Sequence, residues 1–245
     1  MKFFRKLRRS IRKRQVATLH GGDRFFVTDY LGADFLVRLD ETIGREVAFR
    51  DFERDRIEHF MGLCAERRPD VFLDLGANVG TYTCILVRSA LAPRAVAFEP
   101  DPNNLIRLRA NLLINDILDR VEVRDTAVGS APARLWLEAG PPGNYTNARI
   151  AAPSPDAKGG AKGHFVDVVR LDDVLALSGL VIAAKIDIEG HECEALSGMA
   201  RTLADNRGIV QVETYDHRAA VFDALGRLHY RLIKDFAPDF VFAND

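Results

Sequence analysis

Apolar residues along the chain fall into short runs separated by turn residues, and the period of these runs predicts alternating strands and helices. Helical spacing at 52–66 and after Pro102, where Leu105, Leu108 and Leu112 share one face, predicts two helices. Buried-type apolar runs predict strands at 71–75, 95–99, 121–123, 165–171, 181–187 and 209–213. Strands that alternate with helices indicate an α/β fold with a doubly wound, mostly parallel sheet.

Two further patterns lie on either side of this core. Residues 24–45 alternate apolar and polar positions, which predicts a small hairpin before the sheet. Residues 228–234 and 240–243 predict a final hairpin. At 245 residues the chain is expected to form one main domain, 21–245, in which 21–68 make the first hairpin and helix.

A long segment rich in Gly, Pro, Ala and Ser covers residues 139–164. Loops of this length in a compact domain are usually functional or disordered. We expect a mobile loop here that serves as a substrate cover.

The strand at 71–75 ends in an acidic residue and a small-residue turn. Gly76 and Gly80 allow positive φ and close backbone approach, and the helix that starts at Thr81 offers free N–H groups. Dinucleotide enzymes use a G-x-G-x-x-G turn, whereas here the carboxylate of Asp74 precedes the turn. A ligand with amine and hydroxyl donors is therefore favoured over a pyrophosphate. S-adenosylmethionine has both kinds of donor and no phosphate.

Two more acids follow strands in the same half of the chain. Glu99 ends the strand at 95–99, where a doubly wound fold places an acid for a ribose diol. Asp125 follows the strand at 121–123 and is expected near the adenine amino group. Either acid alone could simply cap the next helix. Their order after successive strands favours a cofactor site.

A second chemical cluster lies at 185–192. Asp187 and Glu189 come at the carboxyl end of a strand, where open α/β sheets bind ligands. His191 is a candidate general base for an acceptor hydroxyl, oriented by Glu189 or Asp187, and its alternative role is a structural one at a helix start. These three side chains and Glu213 could also hold a divalent metal. The spacing does not require one, and metal-free catalysis is expected.

Charge is distributed unevenly along the chain. Residues 1–14 carry eight Lys or Arg and no acid, so the rest of the chain has a net charge of −9 against −1 for the whole. Phe3, Phe4, Leu7 and Ile11 share one helical face, a pattern suited to an anionic membrane surface. Nucleic acid and a frayed, solvated terminus are the alternatives for this arm, 1–20.

The remaining composition favours the cytoplasm. No apolar run reaches the roughly 18 residues that span a bilayer, and no signal peptide is evident. Cys64, Cys84 and Cys193 form no pair typical of a disulfide framework or a zinc site, which suits a reducing compartment. We expect a cytoplasmic protein that contacts the membrane peripherally if the basic arm binds lipid.

Five motifs in order resemble the FkbM family of S-adenosylmethionine-dependent methyltransferases, namely 74–80, 98–100, 126–129, 171–173 and 185–192. The resemblance implies a class I methyltransferase fold, Rossmann-like, with a seven-stranded sheet whose last two strands form an antiparallel hairpin. It also implies O-methylation, often of sugars or secondary metabolites. The segment 143–147 is similar to a family loop near the acceptor.

The resemblance also assigns roles to residues of this chain. Glu99 is expected to hold the ribose and Asp125 the adenine. Asn144 and Glu213 are expected on the acceptor side. The methionine end is assigned to Asp74, Gly76, Ala77, Asn78 and Gly80, and the transferred methyl group is faced by Asp187, Glu189 and His191.

The predicted function is methylation of a sugar hydroxyl of a glycan, glycolipid or glycosylated metabolite. A nicotinamide-dependent oxidoreductase is disfavoured because the turn lacks its glycine pattern. Nucleic-acid methyltransferases that modify base amino groups usually carry a D/N-P-P-Y/F pattern, where this chain has 187–190 with the sequence DIEG. A nucleic-acid methyltransferase and a non-catalytic binding module stay open as alternatives.

Overall fold

The structure is a computed structural model that describes residues 2–22, 25–140, 148–151 and 163–244. The helices are α1 (Lys2–His20), α2 (Thr42–Ala48), α3 (Arg54–Arg67), α4 (Thr81–Arg88), α5 (Pro102–Ile114), α6 (Leu171–Val174), α7 (Glu192–Gly198), α8 (Ala200–Ala204) and α9 (Arg218–Arg227). The strands are β1 (Phe26–Tyr30), β2 (Ala33–Val37), β3 (Val71–Leu75), β4 (Ala95–Phe98), β5 (Val121–Arg124), β6 (Ala127–Val128), β7 (Ala133–Glu138), β8 (Arg149–Ala151), β9 (Gly163–Val169), β10 (Val181–Ile186), β11 (Arg207–Glu213), β12 (Arg231–Phe236) and β13 (Asp239–Asn244).

The central sheet has seven strands in the order β12-β13-β11-β10-β3-β4-β5. Strands β3, β4, β5, β10 and β11 run parallel, and β13 pairs antiparallel with both β11 and β12. This confirms the predicted doubly wound, mostly parallel sheet with its C-terminal hairpin. The chain moves outward from β3 to β5 and then returns to β10 on the other side of β3. Such a reversal of strand order opens a crevice where open α/β sheets bind ligands.

Both faces of the sheet are covered by apolar layers. Every residue of β3 is buried, and successive residues point to opposite faces. Phe72 packs on the side of α3, α4 and α5 with Ile85 and Leu108. Leu73 packs on the side of α7, α8 and α9 with Leu196. Burial on both faces explains why the sequence of β3 is a continuous apolar run interrupted only by Asp74.

The N-terminal hairpin is confirmed as β1 and β2, paired antiparallel. It is fastened to α5 by two asparagines. The amide N–H of Leu36 donates to Asn111 Oδ1 at 2.9 Å, and that of Asp34 donates to Asn115 Oδ1 at 2.8 Å. The alternating pattern stops at β2, and residues from Thr42 form α2, which the sequence reading did not predict.

Part of α1 packs against this N-terminal unit. Arg9 pairs with Glu46 at 2.7 Å and with Asp51 at 3.0 Å. Arg12 donates to the carbonyl oxygen of Ala48 at 3.2 Å, and Val16 is buried. Among the described residues no helix is long and apolar enough to cross a membrane.

A second sheet, in the order β6-β9-β7-β8, lies beside the central one. Within the predicted loop 139–164, residues 149–151 form β8 and pair antiparallel with β7, so the expectation of one uninterrupted loop is wrong there. Residues 141–147 and 152–162, and with them Asn144, lie outside the described residues. The strand predicted at 165–171 ends at Val169, because Leu171 already begins α6.

Candidate active site

The loops that follow β3 and β10 pack against each other at the point where the strand order reverses. Gly76 has φ of +81°, and a Cβ atom at this position would overlap the carbonyl oxygen of Asp187. Gly80 has φ of +82°, and a Cβ atom there would lie 2.5 Å from Leu108 Cδ1. The position of Gly76 therefore requires glycine for backbone conformation and for space, and that of Gly80 requires it chiefly for backbone conformation.

Two clefts open on either side of these loops and share Gly76, Asn78, Asp187 and Glu189 as a common wall. The first is called the apolar cleft and is bordered by Phe98, Val128, Leu137, Ile150 and Ile188. The second is called the acidic cleft and is bordered by Glu53, Asp74, Asp187, Glu189 and Glu213.

Glu99 is the buried carboxylate of the apolar cleft. Its Oε2 accepts from the amide N–H of Asn78 at 2.7 Å, and its Oε1 accepts from that of Asp101 at 2.8 Å. Burial raises the pKa of Glu99 to about 7. Its Oε1 also accepts from Asn104 Nδ2 at 3.5 Å, so it is Oε2 that keeps capacity for a ligand hydroxyl.

Asn78 faces both clefts from the turn after β3. Its φ of +53° lies in the left-handed region, which asparagine tolerates better than most residues. Its side-chain oxygen is buried and has no hydrogen-bond partner among the described residues. A buried polar atom without a partner indicates a place for a ligand donor. Ala77 lies beside it on the wall of the acidic cleft.

Asp74 lies at the inner end of the acidic cleft, opposite Lys185 on the neighbouring strand. It is 2% exposed, and Thr83 Oγ1 donates to its Oδ2 at 2.6 Å. Burial raises the pKa of Asp74 to about 6. The structure thus brings Asp74 and Glu99 to the same turn, but on different clefts.

Asp125 does not reach the site. It is exposed and lines neither cleft, because the chain turns its neighbour Thr126 toward the apolar cleft instead. The hydroxyl oxygen of Thr126 is buried and has no partner among the described residues. The structure thus offers Thr126 in the place expected for Asp125.

His191 lies on the apolar cleft, near Gly129. Its closest acid is Glu194, whose Oε2 lies 3.7 Å from His191 Nδ1. The structure therefore shows no hydrogen bond that would orient the ring from Asp187 or Glu189. Burial lowers the pKa of His191, which favours the neutral imidazole.

Lys185 and Asp187 form a partly buried ion pair in the acidic cleft, with Lys185 Nζ 2.6 Å from Asp187 Oδ2. Lys185 is 4% exposed and also lies 4.8 Å above the ring of Tyr82. Burial opposes the charge on both partners. Mutual attraction outweighs it, so the pKa of Asp187 lies below and that of Lys185 above its usual value.

Glu189 and Glu213 complete the acidic cleft. Tyr215 donates its hydroxyl to Glu213 Oε1 at 3.0 Å. Burial, with Asp187 close by, raises the pKa of Glu213 to about 9. Glu189 has φ of +52°, and its carboxylate makes no hydrogen bond or ion pair with another described residue. Burial raises the pKa of Glu189 to about 6.

Sequence reasoning missed several residues of the acidic cleft, above all Glu53 and Tyr82. Tyr82 donates its hydroxyl to Glu53 Oε2 at 2.9 Å, and Gln211 Nε2 donates to the Tyr82 hydroxyl at 2.9 Å. The sequence did carry a signal for Lys185, because a cation inside an apolar strand is unusual. It carried no signal for Glu53, because nothing local distinguishes this residue from other acids near a helix start.

Within the described ranges, no group of three or more His, Cys, Asp or Glu side chains is arranged to hold a metal ion.

Comparison with known proteins gives a consistent picture. Residues 74–235 match the model of the methyltransferase FkbM domain. The chain is 33% identical over 181 residues to the hexuronic acid methyltransferase AglP of Haloferax volcanii, covering 70% of this chain and 66% of that protein. It is 29% identical over 170 residues to the methyltransferase sdnD of Sordaria araneosa, covering 59% of this chain and 66% of that one. The chain thus spans about two thirds of the length of these curated relatives.

Among solved structures, the methyltransferase FkbM of Methylobacillus flagellatus KT superposes with a TM-score of 0.51 at 19% sequence identity. The match covers 72% of this chain and 44% of that one. At this identity the likeness shows the shared fold.

Proposed function

Because this chain belongs to the FkbM methyltransferase family, as the resemblance implied, we propose that it is an S-adenosylmethionine-dependent O-methyltransferase acting on a sugar hydroxyl of a glycan, glycolipid or glycosylated metabolite. The observation that carries this proposal is the pair of clefts with one common wall at Asp187 and Glu189. A methyl donor with its adenosine in the apolar cleft and its ammonium group at Asp74, at the inner end of the acidic cleft, would meet at that wall an acceptor held in the rest of the acidic cleft. The relative named for a hexuronic acid supports a sugar-containing acceptor.

The residues present fit S-adenosylmethionine, which supplies an activated methyl group on a sulfonium. Glu99 is suited to accept from ribose hydroxyls, and the apolar lining of its cleft suits an adenine ring. We assign the adenine edge to Thr126 rather than Asp125. Asp74 and the unpartnered oxygen of Asn78 are suited to an ammonium group, while the turn at 76–80 gives backbone access.

Transfer to a hydroxyl releases a proton, and we assign its acceptance to Glu189. Glu189 borders both clefts, its carboxylate is unengaged among the described residues, and its pKa of about 6 suits a general base near neutral pH. Asp187 is held as an anion by Lys185 at the same wall and supports the positive charge of the donor. His191 borders only the apolar cleft and is the second candidate for the base.

The acceptor is proposed to lie in the acidic cleft. Carboxylates and the hydroxyls of Tyr82 and Tyr215 line it and can accept or donate hydrogen bonds to a polyhydroxylated ring. Holding the acceptor oxygen against the methyl carbon and excluding water supplies most of the rate enhancement in such a displacement.

Transfer of labelled methyl groups tests this function. The protein is incubated with methyl-labelled S-adenosylmethionine and, separately, with a glycolipid and glycan fraction or with total nucleic acid. Label in the glycan fraction that is lost in Glu189→Gln supports the proposal. Label in nucleic acid alone, or binding of the cofactor with no transfer to any fraction, contradicts it in favour of the two alternatives.

Residues 1–14 are proposed to give peripheral contact with anionic membranes from the cytoplasmic side. Lys13 and Arg14, near the middle of α1, are exposed, and Ile11 is 48% exposed. Arg9 is already paired with Glu46 and Asp51, so it holds α1 against the N-terminal unit and is not expected to bind lipid. Sedimentation with phosphatidylglycerol vesicles but not with phosphatidylcholine vesicles at low salt is expected. Equal sedimentation with both, or with neither, contradicts the contact.

A further inference from the structure

Part of the acidic cleft is built by residues that precede the family domain. The family match begins at residue 74, whereas Thr42, Ile43, Phe52 and Glu53 line one wall of the cleft. Glu53 has φ of +41° and stands directly before α3. The chain thus bends sharply at the residue that brings a carboxylate to this wall.

The Glu53 side chain is held in place by a buried network. The hydroxyl of Tyr82 donates to Glu53 Oε2 at 2.9 Å, and Tyr82 is itself 4% exposed. Gln211 Nε2 donates to the Tyr82 hydroxyl at 2.9 Å and to Asp239 Oδ1 at 3.0 Å. Arg56 Nη1 lies 3.6 Å from Glu53 Oε1. Side chains fixed in this way are typical of binding sites that hold a group in one orientation.

Carboxyl groups outnumber cations among the described residues that line the acidic cleft. Lys185 is the single cation among the described residues that line it, and it is paired with Asp187 at 2.6 Å. Burial raises the pKa of Glu53, as it does those of Glu189 and Glu213. Surroundings that disfavour the ionised form of their own carboxyl groups also disfavour the carboxylate of a ligand, because that carboxylate would lose water and be repelled by Asp187. Hydroxyl or ammonium donors would instead satisfy the carboxylates.

We propose that Glu53 is an acceptor-binding residue and that it selects acceptors presenting hydroxyl or ammonium groups and excludes those presenting a carboxylate. This rests on the proposed function, because it takes the acidic cleft as the place of the acceptor. It separates this chain from its relative, whose name gives a hexuronic acid as acceptor.

Three matched sugars test the selection: methyl glucoside, its 6-amino-6-deoxy analogue and methyl glucuronide, which differ only in the group at C6. Their dissociation constants are measured by ligand-observed NMR with the full chain saturated with S-adenosylhomocysteine. The glucuronide is expected to bind at least about tenfold more weakly than the glucoside, and the 6-amino analogue at least as tightly as the glucoside.

Glu53→Gln tests the residue, because glutamine keeps an oxygen that accepts from Tyr82 while losing the charge. The gap between glucoside and glucuronide should shrink to less than about threefold, with S-adenosylhomocysteine affinity unchanged. The control is Glu58→Gln, which removes an exposed charge one turn further along α3 that pairs with Arg54 at 2.8 Å. It should keep the full gap. If Glu53→Gln does not fold, Glu53→Asp gives a second test, because it draws the carboxylate back by one methylene and should also narrow the gap.

Three results overturn the selection: equal or tighter binding of the glucuronide, an unchanged gap in the folded variants, or no binding of any of the three sugars to protein that binds S-adenosylhomocysteine. Failure to bind S-adenosylhomocysteine would count against the proposed function instead. The two claims can therefore fail separately.

Discussion

The apolar cleft and the acidic cleft meet at one wall but are assembled in different ways. The apolar cleft is built from residues that follow strands of the family domain, such as Glu99 after β4 and Thr126 after β5. The acidic cleft combines the wall of β3 and β10 with Glu53 from before that domain and Tyr215 from beyond β11. Side chains distant in sequence converge there, and only tertiary packing brings them together.

Under the proposed function, this difference makes donor binding and acceptor choice separable in the molecule. A doubly wound sheet fixes the donor side, since the reversal of strand order creates the crevice whatever the loops contain. The acceptor side depends on which segments pack over the sheet edge. Variants of the two clefts should therefore affect different measurements.

The largest effect is expected from Gly76→Ala, at the wall common to both clefts. A Cβ there overlaps the carbonyl oxygen of Asp187, and φ of +81° is strained for alanine. S-adenosylmethionine affinity should fall at least about a hundredfold, or the free energy of unfolding should fall by about 3 kcal/mol. Calorimetric titration and denaturant unfolding measure the two.

The control for Gly76→Ala is Gly62→Ala in α3, where the added methyl meets nothing within 4 Å. It should leave binding unchanged and stabilise the helix by up to about 1 kcal/mol. If Gly76→Ala folds and its affinity for S-adenosylmethionine is within threefold of the parent's, the close packing of the loops after β3 and β10 is not needed to form the common wall of the clefts.

Glu189→Gln should reduce turnover by about a hundredfold and leave the dissociation constant of S-adenosylmethionine within threefold, because a general base acts on the acceptor proton. His191→Ala should reduce turnover less than tenfold, since the ring borders only the apolar cleft. Single-turnover rates with saturating cofactor make the comparison. The reverse order of effects would return the base to His191.

The pH dependence of S-adenosylmethionine binding tests the role of Glu99 in the apolar cleft. Ribose hydroxyls need an ionised Glu99 as acceptor, and its pKa is about 7, so affinity for S-adenosylmethionine should drop roughly eightfold as pH falls from 7.5 to 6. In Glu99→Gln the affinity should be lower and its dependence on pH should be reduced. A flat profile for the parent protein would mean that Glu99 does not titrate in the cleft.

The raised pKa of Glu99 also makes the stability of the folded protein depend on pH. The folded protein without ligand keeps a proton on Glu99 up to pH about 7, whereas the unfolded chain gives it up near 4.5. The folded state therefore binds more protons in this interval, and the contribution of Glu99 to stability falls as pH rises through it. Thermal unfolding of the parent and of Glu99→Gln at pH 5 and pH 7.5 should show a larger loss in the parent, since Asp74 and Glu189 contribute the same sign to both proteins.

The smallest effect is expected away from both clefts. Arg9→Ala removes the pairs with Glu46 and Asp51, which are partly exposed, and should cost about 0.5 kcal/mol of unfolding free energy. Cofactor affinity and acceptor selection should not change. Arg14→Ala, at an exposed position of the same helix, is the matched control and should have no measurable effect. A change in cofactor affinity with Arg9→Ala would tie α1 to the site.

The contrast between the clefts also explains what the sequence could predict. The strand, turn and helix at 71–88 and the position of Glu99 at the end of a strand were predictable, because the apolar pattern of the nearby sequence determines them. Asp125 and Thr126 are neighbours that follow β5, a strand of only four residues. Apolar periodicity over so short a strand could not determine which of the two residues faces the apolar cleft. Glu53 was not predictable, since its partner Tyr82 lies on another helix and Tyr82 in turn is held by Gln211, 129 positions further along the chain.

The strands of the central sheet and both hairpins were predictable from alternation and buried runs that repeat over several residues, whereas the count of seven strands came from the family resemblance. Helix α2 was not predictable, because it is short and follows the hairpin without a marked change of pattern. Strand β8 was hidden in a segment whose composition resembles a loop, and its three residues are held by pairing with β7.

Calorimetric titration of the full chain with S-adenosylmethionine, and separately with NAD, tests most directly whether the crevice between β3 and β10 is a methyl-donor site. We expect micromolar binding of S-adenosylmethionine, weakened in Glu99→Gln and unchanged in Glu58→Gln, and no heat from NAD. Binding of NAD in place of S-adenosylmethionine, or of neither, would contradict the assignment of this crevice.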